Sequence, residues 1–292
     1  MSTKFILGNT SPVIKPLQGI VTGIGAGQVA TCRFPPGLTY AELVIRCTIA
    51  GVAATRAQLE TMLTTARLTV SGVEKFSVQA IDLIAIAEFY RTGCIGDSGY
   101  LVIPLERLWM EGVKAQLDPN YGTDGESSVV LELTQAGGST IDAITAFARV
   151  NPAPEQLGAH IMLRRFTFNV ASTGKYLYPD LPIIPGEYLY ALHIKVPVVA
   201  NLTNIAMITD DVRMMDTPPS LLTQLYQLSN PVRTPQSAKL YVHVDFTMRG
   251  YDSDALAVGD LKSQVLELEF ANAAPNAVTV LGEYGTVARR AA

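Results

Sequence analysis

Apolar and polar residues alternate with a period of two along much of the chain. From Leu240 to Met248, the apolar Leu240, Val242, Val244, Phe246 and Met248 fall on one face, and Tyr241, His243, Asp245 and Thr247 on the other. That is the pattern of a half-buried strand. The same alternation runs through Val129, Leu131 and Leu133; Phe166, Phe168 and Val170; Leu192, Ile194 and Val196; and Leu266, Leu268 and Phe270. Gly, Pro, Asn and Asp bound these runs, which predicts all-β sandwiches rather than βαβ units. Helical spacing is confined to three short segments. Thr55 and Gln58 stand at capping-box spacing before the stripe Leu59, Met62, Leu63 and Ala66, predicting a helix over 55–66. A second helix is expected over 81–90. A third starts at Thr217-Pro218-Pro219 and continues through Leu221, Leu222, Leu225 and Leu228, with proline near its first position.

The order of these elements repeats. Val130-Leu-Glu-Leu133 recurs as Val265-Leu-Glu-Leu268, 135 residues later. Tyr100-Leu-Val-Ile-Pro-Leu105 parallels Leu240-Tyr-Val-His-Val244, Thr69–Val73 with the helix after it parallels Ile208–Val212 with the Leu221 helix, and Tyr40–Ile45 parallels Tyr188–Ile194. Chance supplies any one such pair easily and the collinear set only with difficulty. The junction falls in Arg149-Val-Asn-Pro-Ala-Pro154, a proline-interrupted linker. The expected organisation is an N-terminal arm over 1–27, sandwiches over 28–150 and 151–284, and a tail over 285–292.

Composition narrows the function classes. At 292 residues the chain exceeds the usual size of one hydrophobic core. Its 22 basic and 26 acidic side chains leave a net charge of −4 and no basic run, so direct nucleic-acid binding is not expected. Charged residues are 16%, against roughly 25% in ordinary domains. So little charge covers a monomer's surface poorly, which points to burial against other subunits. No segment reads as a membrane-spanning helix, and the start Met1–Gly8 lacks the apolar core of a secretory signal, so assembly in the cytosol is expected. Cys32, Cys47 and Cys94 show no CxxC spacing and are read as small buried residues.

Several segments then resemble a known family. They are Leu163-Arg-Arg-Phe-Thr-Phe168, Asp180-Leu-Pro182, Gly186–Lys195, Tyr241–Gly250 and Leu281-Gly-Glu-Tyr284, with similarity of pattern over 59–83 and the strand before Gly112. The chain resembles the major capsid proteins of the double-jelly-roll viral lineage, in particular the corticovirus type found in tailless, membrane-containing bacteriophages. The resemblance implies two tandem eight-stranded jelly rolls with short helices in the connections. It also implies a homotrimer of pseudo-hexagonal outline, in an icosahedral shell over an internal membrane. The partners it implies are further copies of the chain, vertex or minor capsid proteins and the viral membrane, and the location is the virion capsid. No catalytic residue and no cofactor are expected.

Competing chemistry is weaker. Cys94-Ile-Gly-Asp-Ser98-Gly99 is similar to the nucleophile segment of chymotrypsin-like proteases, but His160, His193 and His243 all follow Ser98, the wrong chain order, and a tight turn into the Tyr100 strand explains it better. A bicupin metal site needs paired histidines, and no two here lie within thirty positions, so His193 and His243 are read as polar-side residues of their sheets. Gly23–Gly27 lacks the Lys-Ser/Thr of a phosphate loop and reads as part of a flexible arm. Asp118, Asp124 and Glu126 in one loop, and Asp252, Asp254 and Asp260 in its counterpart, are hard oxygen ligands able to hold Ca²⁺ between subunits, although neither loop is an EF-hand and solvated carboxylates are the favoured reading. Trp109 with Leu105, Leu108 and Met110 forms an apolar anchor at a strand end, read as core packing. A secreted tandem β-sandwich serving as a carbohydrate-binding or adhesion module is the alternative of a different class; it requires a secretion signal, which the N-terminus does not supply.

Overall fold

In the computed structural model, the two halves of the chain repeat one strand order. The structure describes residues 13–16, 21–91, 98–107, 110, 120–151, 155–170, 173–229, 232–236, 240–271 and 276–286. In the first half, β1 (Val13–Pro16), β11 (Ala143–Asn151), β4 (Thr39–Ile49) and β8 (Tyr100–Pro104) pair antiparallel in that spatial order. The opposing sheet is β3 (Val29–Phe34), β10 (Val129–Gln135), β6 (Leu63–Val70) and β7 (Val73–Val78). In the second half the same places are taken by β12 (Ile161–Val170), β20 (Asn276–Thr286), β14 (Glu187–Lys195) and β17 (Tyr241–Asp245). Opposite them lie β13 (Gly174–Tyr178), β19 (Gln264–Phe270), β15 (Leu202–Thr209) and β16 (Val212–Thr217). Each half is thus an eight-stranded jelly roll whose two sheets form a sandwich rather than a closed barrel. Two-residue strands β2 (Val21–Thr22), β5 (Val52–Ala53), β9 (Tyr121–Gly122) and β18 (Leu256–Ala257) extend them.

The repeat reaches individual backbone atoms. The β6–β7 hairpin turns through Ser71-Gly72 and the β15–β16 hairpin through Asp210-Asp211, all four at positive φ, as tight hairpins of native twist require. The Ser71 N–H donates to the Ser128 carbonyl at 2.8 Å, and the Asp210 N–H to the Ser263 carbonyl at 3.1 Å. Those acceptors stand 135 residues apart, the offset of the repeated Val-Leu-Glu-Leu. That motif lies on β10 and β19, where Leu131, Leu133, Leu266 and Leu268 are buried in the two cores.

Three helices among the described residues fill the connections. α1 (Arg56–Met62) starts at the expected capping box, the Gln58 N–H donating to Thr55 Oγ1 and the Thr55 N–H to Gln58 Oε1. It ends earlier than expected, because Leu63 and Ala66 are buried in β6 instead. α2 (Ala80–Phe89) and α3 (Pro219–Leu228) link the same pair of strands in each half, β7 to β8 and β16 to β17.

Three further expectations change. Residues 1–27 are not all arm: β1 pairs with β11, β2 pairs with β3, and the Gly27 N–H donates to Ala136, so the first sandwich already includes parts of that segment. The strand expected over 240–248 stops at Asp245, since Leu240 sits at φ +69 and 246–249 turn. The tail is shorter than 285–292, because β20 continues to Thr286. The halves meet through a parallel bridge, Leu163 of β12 beside Phe76 of β7, which makes one ten-stranded sheet of strands from both.

Candidate functional site

Among the described residues, the most concentrated chemistry lies where the two sandwiches meet. α2 is apolar almost all round, with Ala80, Leu83, Ile84, Ala85, Ile86, Ala87 and Phe89 buried, and such a helix needs cover on every side. Its own sandwich supplies α1, β6 and β8. The outer face of β17 and β14 in the second sandwich adds further cover. Phe89 stacks on His243 with ring centroids 4.1 Å apart, and its edge contacts reach His193 and Tyr226. Asp82, wholly buried in the first turn, accepts the Tyr241 hydroxyl while its Oδ2 accepts the Gln79 N–H at 3.1 Å.

The polar face of the 240–248 pattern is therefore not a solvent face. Tyr241, His243, Asp245 and Thr247 are all buried. His193 and His243, opposite each other on β14 and β17, bring Nδ1 to Nδ1 at 2.6 Å. On the far side of His193, Nε2 lies 3.2 Å from Glu283 Oε1, and Glu283 Oε2 takes the Tyr90 hydroxyl at 3.1 Å and Arg107 Nη2 at 3.2 Å. The Arg107 guanidinium rests on the Tyr190 ring, 3.6 Å from its centre. Nearby, Arg233 Nε pairs with Asp245 Oδ2 at 2.9 Å, both fully enclosed, and Asp245 Oδ1 accepts the Thr247 N–H and hydroxyl at 2.8 and 2.7 Å.

Burial sets the protonation states, modified by these partners. Burial, with His193 beside it, holds His243 well below the usual imidazole value, so it is neutral. For Glu283, burial alone raises the carboxyl; His193, Arg107 and Tyr90 together outweigh it and hold the group below the usual range. At the bridge, Lys75 Nζ lies 3.1 Å from His160 Nε2, and burial lowers both groups.

Two histidines and a glutamate in one cluster invite a metal reading, but the geometry opposes it. Nδ1 atoms 2.6 Å apart leave no room for an ion between them, and the Glu283 carboxylate is already held by Arg107 and Tyr90. Among the described residues, no three His, Cys, Asp or Glu side chains are placed to hold a metal. Cross-strand register, which sequence spacing does not report, pairs His193 with His243 across fifty positions.

The other sequence candidates are dispersed. Asp118 lies outside the described residues, as do Cys94, Trp109, Leu108 and the side chain of Asp252. Asp124 and Asp260 are exposed, Glu126 accepts the Ser71 hydroxyl, and Asp254 is gripped by both Nε and Nη2 of Arg249. Gly99 occupies φ +75, where a Cβ would come within 2.7 Å of the Cys47 carbonyl, so this position is a turn into β8. Cys32 and Cys47 are free and buried, with thiols pushed up to about 12 by burial. Leu105 and Met110 belong to the core.

Residues 15–151 match the family profile of the viral coat protein P2 N-terminal domain, and residues 161–287 that of the C-terminal domain. The chain belongs to the viral coat protein P2 family. The gap between the two matches coincides with the linker after β11. P2-family proteins are structural coat proteins, not enzymes, and the virion capsid is their place. Among solved structures, the major capsid protein P2 of bacteriophage PM2 is 17% identical with a TM-score of 0.81, covering 96% of this chain and 99% of that one. The major capsid protein of Sulfolobus turreted icosahedral virus is 11% identical with a TM-score of 0.67, over 95% and 97%. A PBCV-1 capsid chain is 10% identical with a TM-score of 0.61, over 97% and 98%. At these identities the likeness is one of fold, the double jelly roll. No curated protein sequence matches the P2-family chain described here.

Proposed function

We propose that this P2-family chain is the major coat subunit of an icosahedral virus with an internal membrane, and that it acts as a homotrimer whose six sandwiches form a pseudo-hexagonal capsomer. The observation that carries the reading is the duplication: two jelly rolls of one strand order, joined by α2 and a shared sheet, make a two-fold repeated wall element. Three such chains give six like units, the number that tiles a hexagonal net. The charge-poor composition supports extensive burial between subunits, since 16% charged residues suit walls that meet other walls. Further partners are neighbouring capsomers, vertex or minor capsid proteins and the lipid beneath. The net charge of −4 fits a shell separated from the genome by that lipid. Assembly takes place in the host cytoplasm, and no cofactor takes part.

Light scattering of the purified protein across concentration tests the reading. A mass of three chains of 31.4 kDa, or shells built from that unit, is expected. A monomer at all concentrations overturns it.

A further inference from the structure

Two rows of residues, each adjacent in register, cross the outer face of the second sandwich. One is Thr167, Thr279, Lys195 and Tyr241 on β12, β20, β14 and β17; the next is Arg165, Leu281, His193 and His243. Phe89 of α2 stacks on His243 at the end of the second row, and Asp82 of α2 accepts the Tyr241 hydroxyl at the end of the first. Beside this covered ground lies a cleft of about 190 Å³, whose lining includes Gln79, Arg165, Lys195, Thr279, Leu240 and Ala277.

The cleft holds two cations and no acid. Among the described residues, neither Arg165 nor Lys195 joins an ion pair, whereas Arg164, one position away, is held by both oxygens of Glu187. The Lys195 ammonium lies 5.4 Å from the centre of the Tyr241 ring. Carboxylates on the surrounding elements are engaged elsewhere: Asp82 by Tyr241 and the Gln79 N–H, Glu60 by Arg56, Glu283 by Arg107 and Tyr90, and Asp245 by Arg233. Thr279 is only 6% exposed, and its hydroxyl meets Thr167 Oγ1 at 3.5 Å, the outer limit of a hydrogen bond. Cations that share a concave surface repel one another, and an anion between them reverses the sign of the interaction.

The duplication sets the first row apart. Lys195 and Arg46 correspond, each following a buried isoleucine, Ile194 or Ile45. Thr145, Arg46 and Tyr100 are adjacent in register on β11, β4 and β8, so threonine, cation and tyrosine stand in the same order in both halves. The neighbouring rows diverge, Leu281, His193 and His243 against Phe147, Val44 and Val102. Arg165 has no basic counterpart, because Pro16 takes its place in register on β1. One cation therefore belongs to the plan common to both halves, and the second is an addition where Gln79 closes the cleft.

We propose that this cleft binds an oxyanion of the phosphate class, held by the Arg165 guanidinium and the Lys195 ammonium and hydrogen-bonded by the Thr279 hydroxyl. The planar guanidinium presents a fork of donors to two oxygens, and the ammonium adds a compact charge. Free phosphate and the phosphate end group of a larger molecule offer the same chemistry. The site lies within one chain and does not depend on the number of chains in the capsomer.

Isothermal titration calorimetry of the full chain with sodium phosphate, at ionic strength held constant with chloride, tests it. Saturable binding is expected. Arg165→Gln and Lys195→Gln are each expected to weaken it about tenfold or more, Lys195→Arg to retain it, and Arg46→Gln, which removes a like charge from the other half, to leave it unchanged. Glycerol 3-phosphate separates the sources: binding like that of phosphate shows that an end group enters, and binding of inorganic phosphate alone confines the site to the free anion. Should a variant fail to fold, the unaltered protein carries the test, since phosphate is expected to slow acetylation of Lys195 by acetic anhydride, read by mass spectrometry, and not that of the exposed Lys262. The proposal is overturned by the absence of saturable binding, by equal protection of the two lysines, by binding that the Arg165 and Lys195 variants leave intact, or by an equal loss in Arg46→Gln.

Discussion

His193 and His243 face each other across two antiparallel strands, Nδ1 to Nδ1 at 2.6 Å, in a cluster closed over by Phe89. One ring donates to the other, and the contact requires at least one nitrogen without a proton. His243 is that neutral ring, its affinity for protons held down by burial and then by His193. The unfolded chain therefore takes up a proton, as pH falls below about 6.5, that the folded chain refuses, and stability declines on the acid side of neutrality. Each such proton contributes about 1.4 kcal/mol per pH unit. Urea unfolding at pH 7.5, 6 and 5 should show a smaller decline for His243→Gln than for the unaltered chain, His160 accounting for part of the remaining slope. Identical slopes would refute the assignment.

Glu283 and Arg107 form an ion pair at 3.2 Å with almost no access to water. Removing one partner leaves the other charged and enclosed, so Arg107→Met and Glu283→Gln are each expected to destabilise by about 3–5 kcal/mol. The double variant should lose less than the sum of the two. Its folded-state carboxyl lies below the ordinary value, so the stabilisation from Glu283 is complete above the unfolded value near 4.3 and disappears as pH falls toward the folded one. A double-mutant cycle by denaturant unfolding with a coupling near zero would contradict the pairing.

Phe89 ties the first sandwich to the second through one ring. Phe89→Ala removes its stacking on His243 and its edge contacts with Tyr226 and His193, at a cost of about 3–5 kcal/mol. Because the lost contacts bridge the halves, calorimetry should resolve two transitions where the unaltered protein gives one. A single, merely shifted transition would place the coupling elsewhere.

The acidic loops make a contrasting prediction. Asp254 is engaged by Arg249 and Glu126 by Ser71, which competes with cation binding. Excess EDTA is expected to leave the melting temperature of the assembled protein unchanged. A fall of several degrees that Ca²⁺ reverses and Mg²⁺ does not would establish a calcium site instead.

Much of the fold is legible in the letters. The Val-Leu-Glu-Leu repeat marks β10 and β19, the Thr55–Gln58 box marks α1, and the Pro-rich 149–154 segment marks the passage between halves. What escapes is the meaning of the polar face of β17. Tyr241, His243 and Asp245 alternate with valines as residues facing water do, and a period of two reports that the faces differ without saying what covers each. The cover comes from α2, some 150 positions earlier, whose apolar composition over Ala80–Ala87, broken by Asp82 alone, was the available signal of a helix enclosed on all sides. Asp82 and Tyr241, each unremarkable alone, explain each other once they touch.

The linker of residues 152–160 between β11 and β12 has a thermodynamic consequence. A short tether keeps the second sandwich at an effective concentration on the order of millimolar around the first, whatever the dilution of the protein. The joint inside the chain therefore forms without a concentration requirement and tolerates enclosed charges such as Arg107, Glu283, Arg233 and Asp245, whose pairing fixes orientation more than it adds affinity. Contacts between chains have no such tether. Fusion of the halves thus holds the joint inside the chain at any dilution, and leaves contacts between chains alone to respond to subunit concentration.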